Sequence, residues 1–337
     1  MVGMKDVASV AGVSASTVSR VLNGKSYVNE DTRKRVLAAI EETDFRPNAL
    51  AASLKLGRSN TICLMVPAIE NLIIPLIVRG AEDTARKNGF SVMLCNTDED
   101  STIEKSYIDI MKTRQTDGFI FCSAYGDEQE IYNLHDQEFP IVLINRYQRE
   151  DEGKLDVVSV DNYRAAYAAT RYLSRTGHRR IAFAYGREEL LLYRERYRGY
   201  RDALKDEGLT YDEELVMRET NGNESFYYLT QELMKLPEPP DAIFASSDPK
   251  AFVIMHALHD LGKKIPEDVS VLGFDNVALA SMVEPPLSTV AQPLYEIGCA
   301  ATRSLIRQIH YKEEHGVLPP PNRTVMDFDL IIRRSTI

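Results

Sequence analysis

Apolar residues repeat with a helical period through the first part of the chain and switch to alternating strand and helix patterns from Thr61 onward. In the first part, Val7, Ala8 and Ala11 fall on one helical face. Gly12 ends that helix, because a residue without Cβ adopts positive φ at no steric cost. The Ser14 hydroxyl is placed to cap a second helix whose inward stripe is Val18, Val21 and Leu22. Asn29 and Asp31 supply capping chemistry for a third helix, expected to pack through Val36, Leu37 and Ile40 and to end near Asp44. Two short helices joined by a short turn containing glycine predict a helix-turn-helix.

The outward face of the second helix carries Ala15, Ser16, Ser19 and Arg20, all small or hydrogen-bonding, so a duplex can approach it closely. Arg20 offers a bidentate fork to the O6 and N7 of a guanine, and Ser16 suits a base edge or a phosphate. Arg33, Lys34 and Arg35 follow nearby in the sequence. These features predict a DNA-binding head.

Pro47 to Leu56 reads as a connection: a proline, then helix formers, then Gly57. A helix of about nine residues is too short to be stable alone in water, so it is expected to form only against a supporting surface. Leu54 is costly to leave exposed on such a helix, whereas as a wedge it can enter a minor-groove step and kink the duplex.

From Thr61 the strand-like runs are 61–66, 90–95, 117–122, 140–144 and 157–160, with helices expected over 75–88 and 102–115. A second round has strands at 180–185, 241–245 and 269–274. Its helices are expected over 164–176, 194–207, 224–235 and 249–261, with a further helix over 294–311 and an apolar tail at 329–332. Runs apolar on both faces indicate strands covered by helices on each side, hence parallel doubly wound sheets. Two rounds imply two α/β lobes behind an all-α head, and the cleft between the lobes, at the carboxyl ends of the strands, is the default pocket.

The formal charge of −10 argues against a DNA binder until it is divided: residues 1–58 carry nine Lys/Arg against six Asp/Glu, leaving −13 on the remainder. Phosphate contact needs positive charge only at the contact surface, so the asymmetry fits a DNA-binding head on a body with another task. No secretory leader or membrane-spanning run is read, and a cytoplasmic location without membrane association is expected. Cys63, Cys95, Cys122 and Cys299 are far apart and are read as reduced core thiols rather than ligands or disulfides. His256 and His259 stand three apart, but no constellation completes a metal site. Phosphate-loop, dinucleotide, zinc-protease and serine-hydrolase motifs are all missing, so neither catalysis nor a cofactor is expected. The competing class is a solute-binding or sugar-processing protein with an incidental basic head; the missing leader argues against the first and the missing catalytic constellation against the second.

Lys5-Asp6-Val7-Ala8, Val13-Ser14, Thr17 to Gly24 and Arg46-Pro47-Asn48-Ala49 closely resemble the lactose/galactose repressor family of bacterial transcription regulators, and the likeness runs to the C-terminus. The resemblance implies a homodimeric repressor binding a near-palindromic operator, with a small-molecule effector, a sugar or sugar derivative, in a periplasmic-binding-protein-like body. It implies a head over 1–46 and a hinge helix and linker over 47–59. Because such chains cross between lobes three times, it assigns 60–161 plus about 293–322 to one lobe and 162–292 plus about 323–337 to the other. It adds Thr17, Asn23, Ala51, Leu54 and Lys55 to the DNA contacts Ala15, Ser16, Ser19 and Arg20.

For the effector, the resemblance points to Ile73 and Ile74, to Leu190 and Leu192 in the loop Glu188 to Tyr193, and to Asp161, Arg196, Asn221 and Asp275. Positions 73 and 74 carry rings in the family; isoleucine supplies apolar area without a π-face, which argues against a ring-stacked effector. Pro286 to Gly298 further resembles the catabolite control protein A branch. There Tyr295 and Arg303 match residues that meet a serine-phosphorylated phosphocarrier protein, a possible second partner.

Overall fold

The computed structural model describes residues 2–22, 28–45, 58–122, 129–148, 151, 153–220 and 222–337. They form two units, Met1–Ser59 and Asn60–Ile337. Among the described residues no helix is long and apolar enough to cross a membrane.

The head holds α1 (Met4–Ala11), α2 (Ala15–Leu22) and α3 (Glu30–Glu42). Gly12 takes φ 64° at the end of α1, the left-handed conformation that lets the chain turn at once into α2. The Ser14 hydroxyl accepts the Thr17 N–H at 3.2 Å, and Asn29 Oδ1 accepts that of Asp31 at 2.9 Å, so α2 and α3 both carry side-chain caps. Val7, Ala8, Ala11, Val18, Val21, Val36, Ala39 and Phe45 form the core. Leu37 departs from expectation: it is 52% exposed, and Ala39 is buried instead. Val36, Ala39 and Ile40 share a face at i, i+3 and i+4, whereas Leu37 lies about 100° around the helix from Val36.

The body contains two six-stranded sheets. The first has strand order β2-β1-β3-β4-β5-β11, from β1 (Thr61–Val66), β2 (Ser91–Asn96), β3 (Gly118–Phe121), β4 (Ile141–Ile144), β5 (Asp156–Val160) and β11 (Arg323–Met326). All its pairs are parallel. The second has order β7-β6-β8-β9-β10-β12, from β6 (Ile181–Tyr185), β7 (Val216–Arg218), β8 (Ala242–Ala245), β9 (Ser270–Asp275), β10 (Ser288–Ala291) and β12 (Asp329–Ile331). Only β12 runs antiparallel to its neighbour. Every residue of β3, β4 and β5 is buried, as expected for strands covered on both faces.

Helices α4 (Ile74–Lys87), α5 (Ser101–Thr113) and α6 (Gln129–Asp136) belong to the first lobe, and α7 (Asn162–Arg175), α8 (Leu191–Asp206), α9 (Ser225–Leu233) and α10 (Asp248–Asp260) to the second. The long α11 (Leu294–His315) returns to the first lobe, where its Gln308 side chain bonds both the N–H and the carbonyl of Ile141. The lobes are therefore linked after β5, after β10 and between β11 and β12. β11 pairs with β5, Thr324 opposite Val158, so residues 323–326 lie in the first lobe. The last crossing falls at Asp327–Phe328, not near 322, because the β5 edge still offers backbone partners to the returning chain. All four cysteines are buried and free.

Candidate functional site

On α2, Ser16 and Arg20 are exposed, while Ala15, Thr17 and Ser19 are half-buried. The Ser14 hydroxyl also meets those of Ser16 (2.8 Å) and Thr17 (2.9 Å), so Thr17 is drawn into the helix cap. Asn23, Ala51, Leu54 and Lys55 lie outside the described residues.

In the body, a cavity of about 650 Å³ opens between the lobes. Its walls come from the carboxyl ends of strands in both sheets: Pro67 follows β1, Cys122 β3, Asn145 β4, Arg187 β6 and Glu219 β7. Ser247 follows β8, Asp275 ends β9, and Gln292 follows β10. This is where parallel sheets present loops and side chains to a ligand.

Five of the expected effector residues line it: Ile73, Ile74, Leu192, Arg196 and Asp275. Asp161 does not. Its carboxylate caps α7 by accepting the Arg164 N–H at 2.9 Å, and it borders a separate 220 Å³ pocket with Tyr147, Tyr163 and Arg198. Helix capping has claimed that side chain. Leu190 is buried but does not line the cavity, and its neighbour Leu191 packs into the core of the first lobe. Asn221 lies outside the described residues.

Arg196 is only 3% exposed and is held from several sides. Its Nε donates to Asn162 Oδ1 at 2.8 Å, its Nη1 donates to the Ser246 carbonyl at 2.6 Å, and its guanidinium lies 3.5 Å from the Phe274 ring centroid. Asp275 Oδ1 is 3.9 Å away and accepts from Gln292 Nε2 at 2.7 Å. Burial pushes the Asp275 carboxyl up to about 6 despite the opposing pull of Arg196. Burial, with Asp275 nearby, raises Asp248 to about 8.

Several lining residues escaped the sequence reading. Tyr193 brings a ring to the cleft from the second lobe, 4.8 Å from Lys250 Nζ and 5.6 Å from the Arg196 guanidinium. The cleft thus has an aromatic wall although positions 73 and 74 are aliphatic. Tyr193 sits in the first turn of α8 one turn before Arg196, the i, i+3 relation that could have revealed it. Lys250 Nζ lies 3.1 Å from Glu219 Oε2 and donates to Asn223 Oδ1 at 3.1 Å. Glu99 takes hydrogen bonds from Arg146 and Arg187. Burial works against its ionisation, but the two guanidinia prevail and hold its carboxyl below the usual range.

Outside the cleft, the Tyr295 hydroxyl donates to Asp83 Oδ2 at 3.2 Å, while Arg303 is exposed on α11. Among the described residues no group of three His, Cys, Asp or Glu is disposed to hold a metal.

A helix-turn-helix head joined to a two-lobed body with a polar cleft defines a class, the DNA-binding regulators built on a ligand-binding scaffold. Residues 3–48 match the family model described as "Bacterial regulatory proteins, lacI family", and residues 59–324 match "Periplasmic binding proteins and sugar binding domain of LacI family". The chain is 38% identical over 335 residues to the HTH-type transcriptional regulator RegA of Clostridium saccharobutylicum, covering 99% of both chains. It is 34% identical to catabolite control protein A of Priestia megaterium, covering 94% of this chain and 96% of that one. Among solved structures, the transcriptional regulator CelR–cellobiose complex superposes with a TM-score of 0.75 at 30% identity, over 99% of this chain and 100% of that one. This chain belongs to the lacI family of bacterial transcriptional regulators, which bind DNA and are not enzymes.

Proposed function

We propose that the protein is a cytoplasmic repressor that binds a near-palindromic operator as a homodimer and is controlled by a small molecule held between its lobes. The observation that carries this reading is the cleft, walled by the strand ends of both lobes in a chain that also bears the exposed Ser16–Arg20 helix face. Two-fold symmetry of the protein would be mirrored in the operator. A ligand that prefers one lobe angle would, through the hinge expected over residues 47–59, which lie mostly outside the described residues, alter operator affinity at a coupling of about 1–3 kcal/mol. The cellobiose held by CelR supports a sugar as the effector class.

A gel shift on inverted-repeat fragments, with and without sugars, tests this. Preference for one symmetric fragment over scrambled DNA, altered by a cleft ligand, is the expected result. Equal binding to both fragments would overturn the reading and leave the solute-binding alternative. A serine-phosphorylated phosphocarrier protein as second partner is supported by the exposed Arg303, while Tyr295 is engaged with Asp83 inside the chain.

A further inference from the structure

Two guanidinia, one from each lobe, converge on a single carboxylate inside the cleft. Arg146, just after β4, places Nη1 2.9 Å from Glu99 Oε1. Arg187, just after β6 in the other lobe, donates through Nη2 to Oε2. Each oxygen thus has its own guanidinium, the arrangement in which arginines hold a phosphate or carboxylate. The seat is built for an anion, and the chain supplies that anion itself.

The presentation of Glu99 is enforced locally. Asp98 and Glu99 both take positive φ, 52° and 58°, which costs energy for residues with a Cβ. The Glu99 N–H is tied to the Pro67 carbonyl at 3.0 Å, and Asp100 immediately caps α5 through Thr102 N–H at 2.7 Å. The opposite side is strapped down as well. Arg194 donates to Gln148 Oε1 at 2.9 Å across the lobes, and Leu191 is buried in the first lobe's core.

Among the described residues, the other cations lining the cavity are also matched from within. Lys250 faces Glu219 and Asn223, and Arg196 is held by Asn162, the Ser246 carbonyl and Asp275. An incoming anionic group would have to evict a resident carboxylate and leave it half-buried without its partners, whereas a hydroxyl can share the existing network.

We propose that Glu99 sets the specificity of the cleft: it fills the anion seat formed by Arg146 and Arg187 and so restricts the effector to uncharged, hydroxyl-rich molecules. This rests on the reading of the cleft as the effector site.

The test uses the full chain and inorganic phosphate as probe, with chloride at matched ionic strength as reference, read by thermal unfolding. Phosphate held by the basic head shifts every variant alike and cancels in the comparison. Wild type is expected to give no saturable shift beyond that background. Glu99→Gln is expected to gain one of about 3 °C at tenfold the dissociation constant, and Glu99→Gln/Arg187→Gln to lose it again. A saturable shift in wild type that Arg187→Gln abolishes would overturn the proposal, as would a folded Glu99→Gln that gains nothing. Should Glu99→Gln fail to fold, the wild-type result decides. Glucose and glucose 6-phosphate, and ribose and ribose 5-phosphate, are compared in parallel on wild type. A phosphorylated sugar binding the cleft more tightly than its neutral twin also overturns the proposal. An operator gel shift with the same ligands separates the two readings: if none alters operator binding, the effector reading is unsupported while the phosphate result on Glu99→Gln stands independently.

Discussion

Asp248 is fully buried, yet its carboxyl accepts hydrogen bonds from the Val277 N–H at 2.9 Å and the Thr289 hydroxyl at 2.6 Å. Burial lifts it to about 8 and lifts its neighbour Asp275 to about 6, whereas an unfolded aspartate titrates near ~3.9. The native chain therefore keeps protons that the unfolded chain has already released. The stability this gives is complete below the unfolded value and is lost as pH rises through about 6 and then about 8. The urea midpoint of the main transition is expected to fall between pH 5 and 8.5, and Asp248→Asn is expected to remove the upper part of the decline. A pH-independent wild-type midpoint would show that both carboxyls are ionised in the native state. On the head, Arg20→Ala is expected to cost roughly 1–3 kcal/mol on the matched operator. A similar loss on random DNA, measured by titration at fixed salt, would reduce Arg20 to a phosphate contact.

The α4–α11 pair approaches closely because glycine stands on each helix at the crossing. A Cβ on Gly298 of α11 would lie 2.1 Å from the Ile77 carbonyl of α4, and one on Gly80 would lie 2.0 Å from the Tyr295 carbonyl. Both obstacles are backbone, so no side chain can swing aside. Gly298→Ala is expected to force the two helices apart and destabilise the body by about 1–3 kcal/mol or more, seen as a lower urea midpoint. An unchanged midpoint would mean the crossing tolerates the shift. The same crossing positions Tyr295 against Asp83, where Arg79 and Arg86 also pair, so a phosphoprotein partner would meet an ordered charged surface rather than a free tyrosine.

Across the molecule, a ligand in the cleft would touch strand ends from both sheets, so its binding energy would depend on the angle between the lobes. On the proposed reading, that angle would set the separation of the segments around residues 47–59 in a dimer, and Leu54, which lies outside the described residues, would act on the duplex as a wedge. Leu54→Ala is expected to reduce the operator bend in a circular-permutation gel. An unreduced bend would assign the kink to other contacts.

The head and the sheet centres were legible from residue order alone, since their signals are local. Val7, Ala8, Ala11, Val18 and Val21 follow one helical period around Gly12, and the central strands are apolar on both faces because helices cover both. Arg196 and Asp275 were legible through family resemblance, and both line the cleft. The remainder depended on long-range packing. β7 and β11 are three and four residues long and partly polar, and they are strands only because a sheet edge is available to pair with them. Asp161 lost its expected place to a helix cap, and Tyr193 gained one from the start of α8. The Glu99 seat joins residues 47 and 88 positions apart. No spacing rule reaches that far, because a carboxylate and two guanidinia separated by whole strands and helices become neighbours only when two lobes fold and face each other.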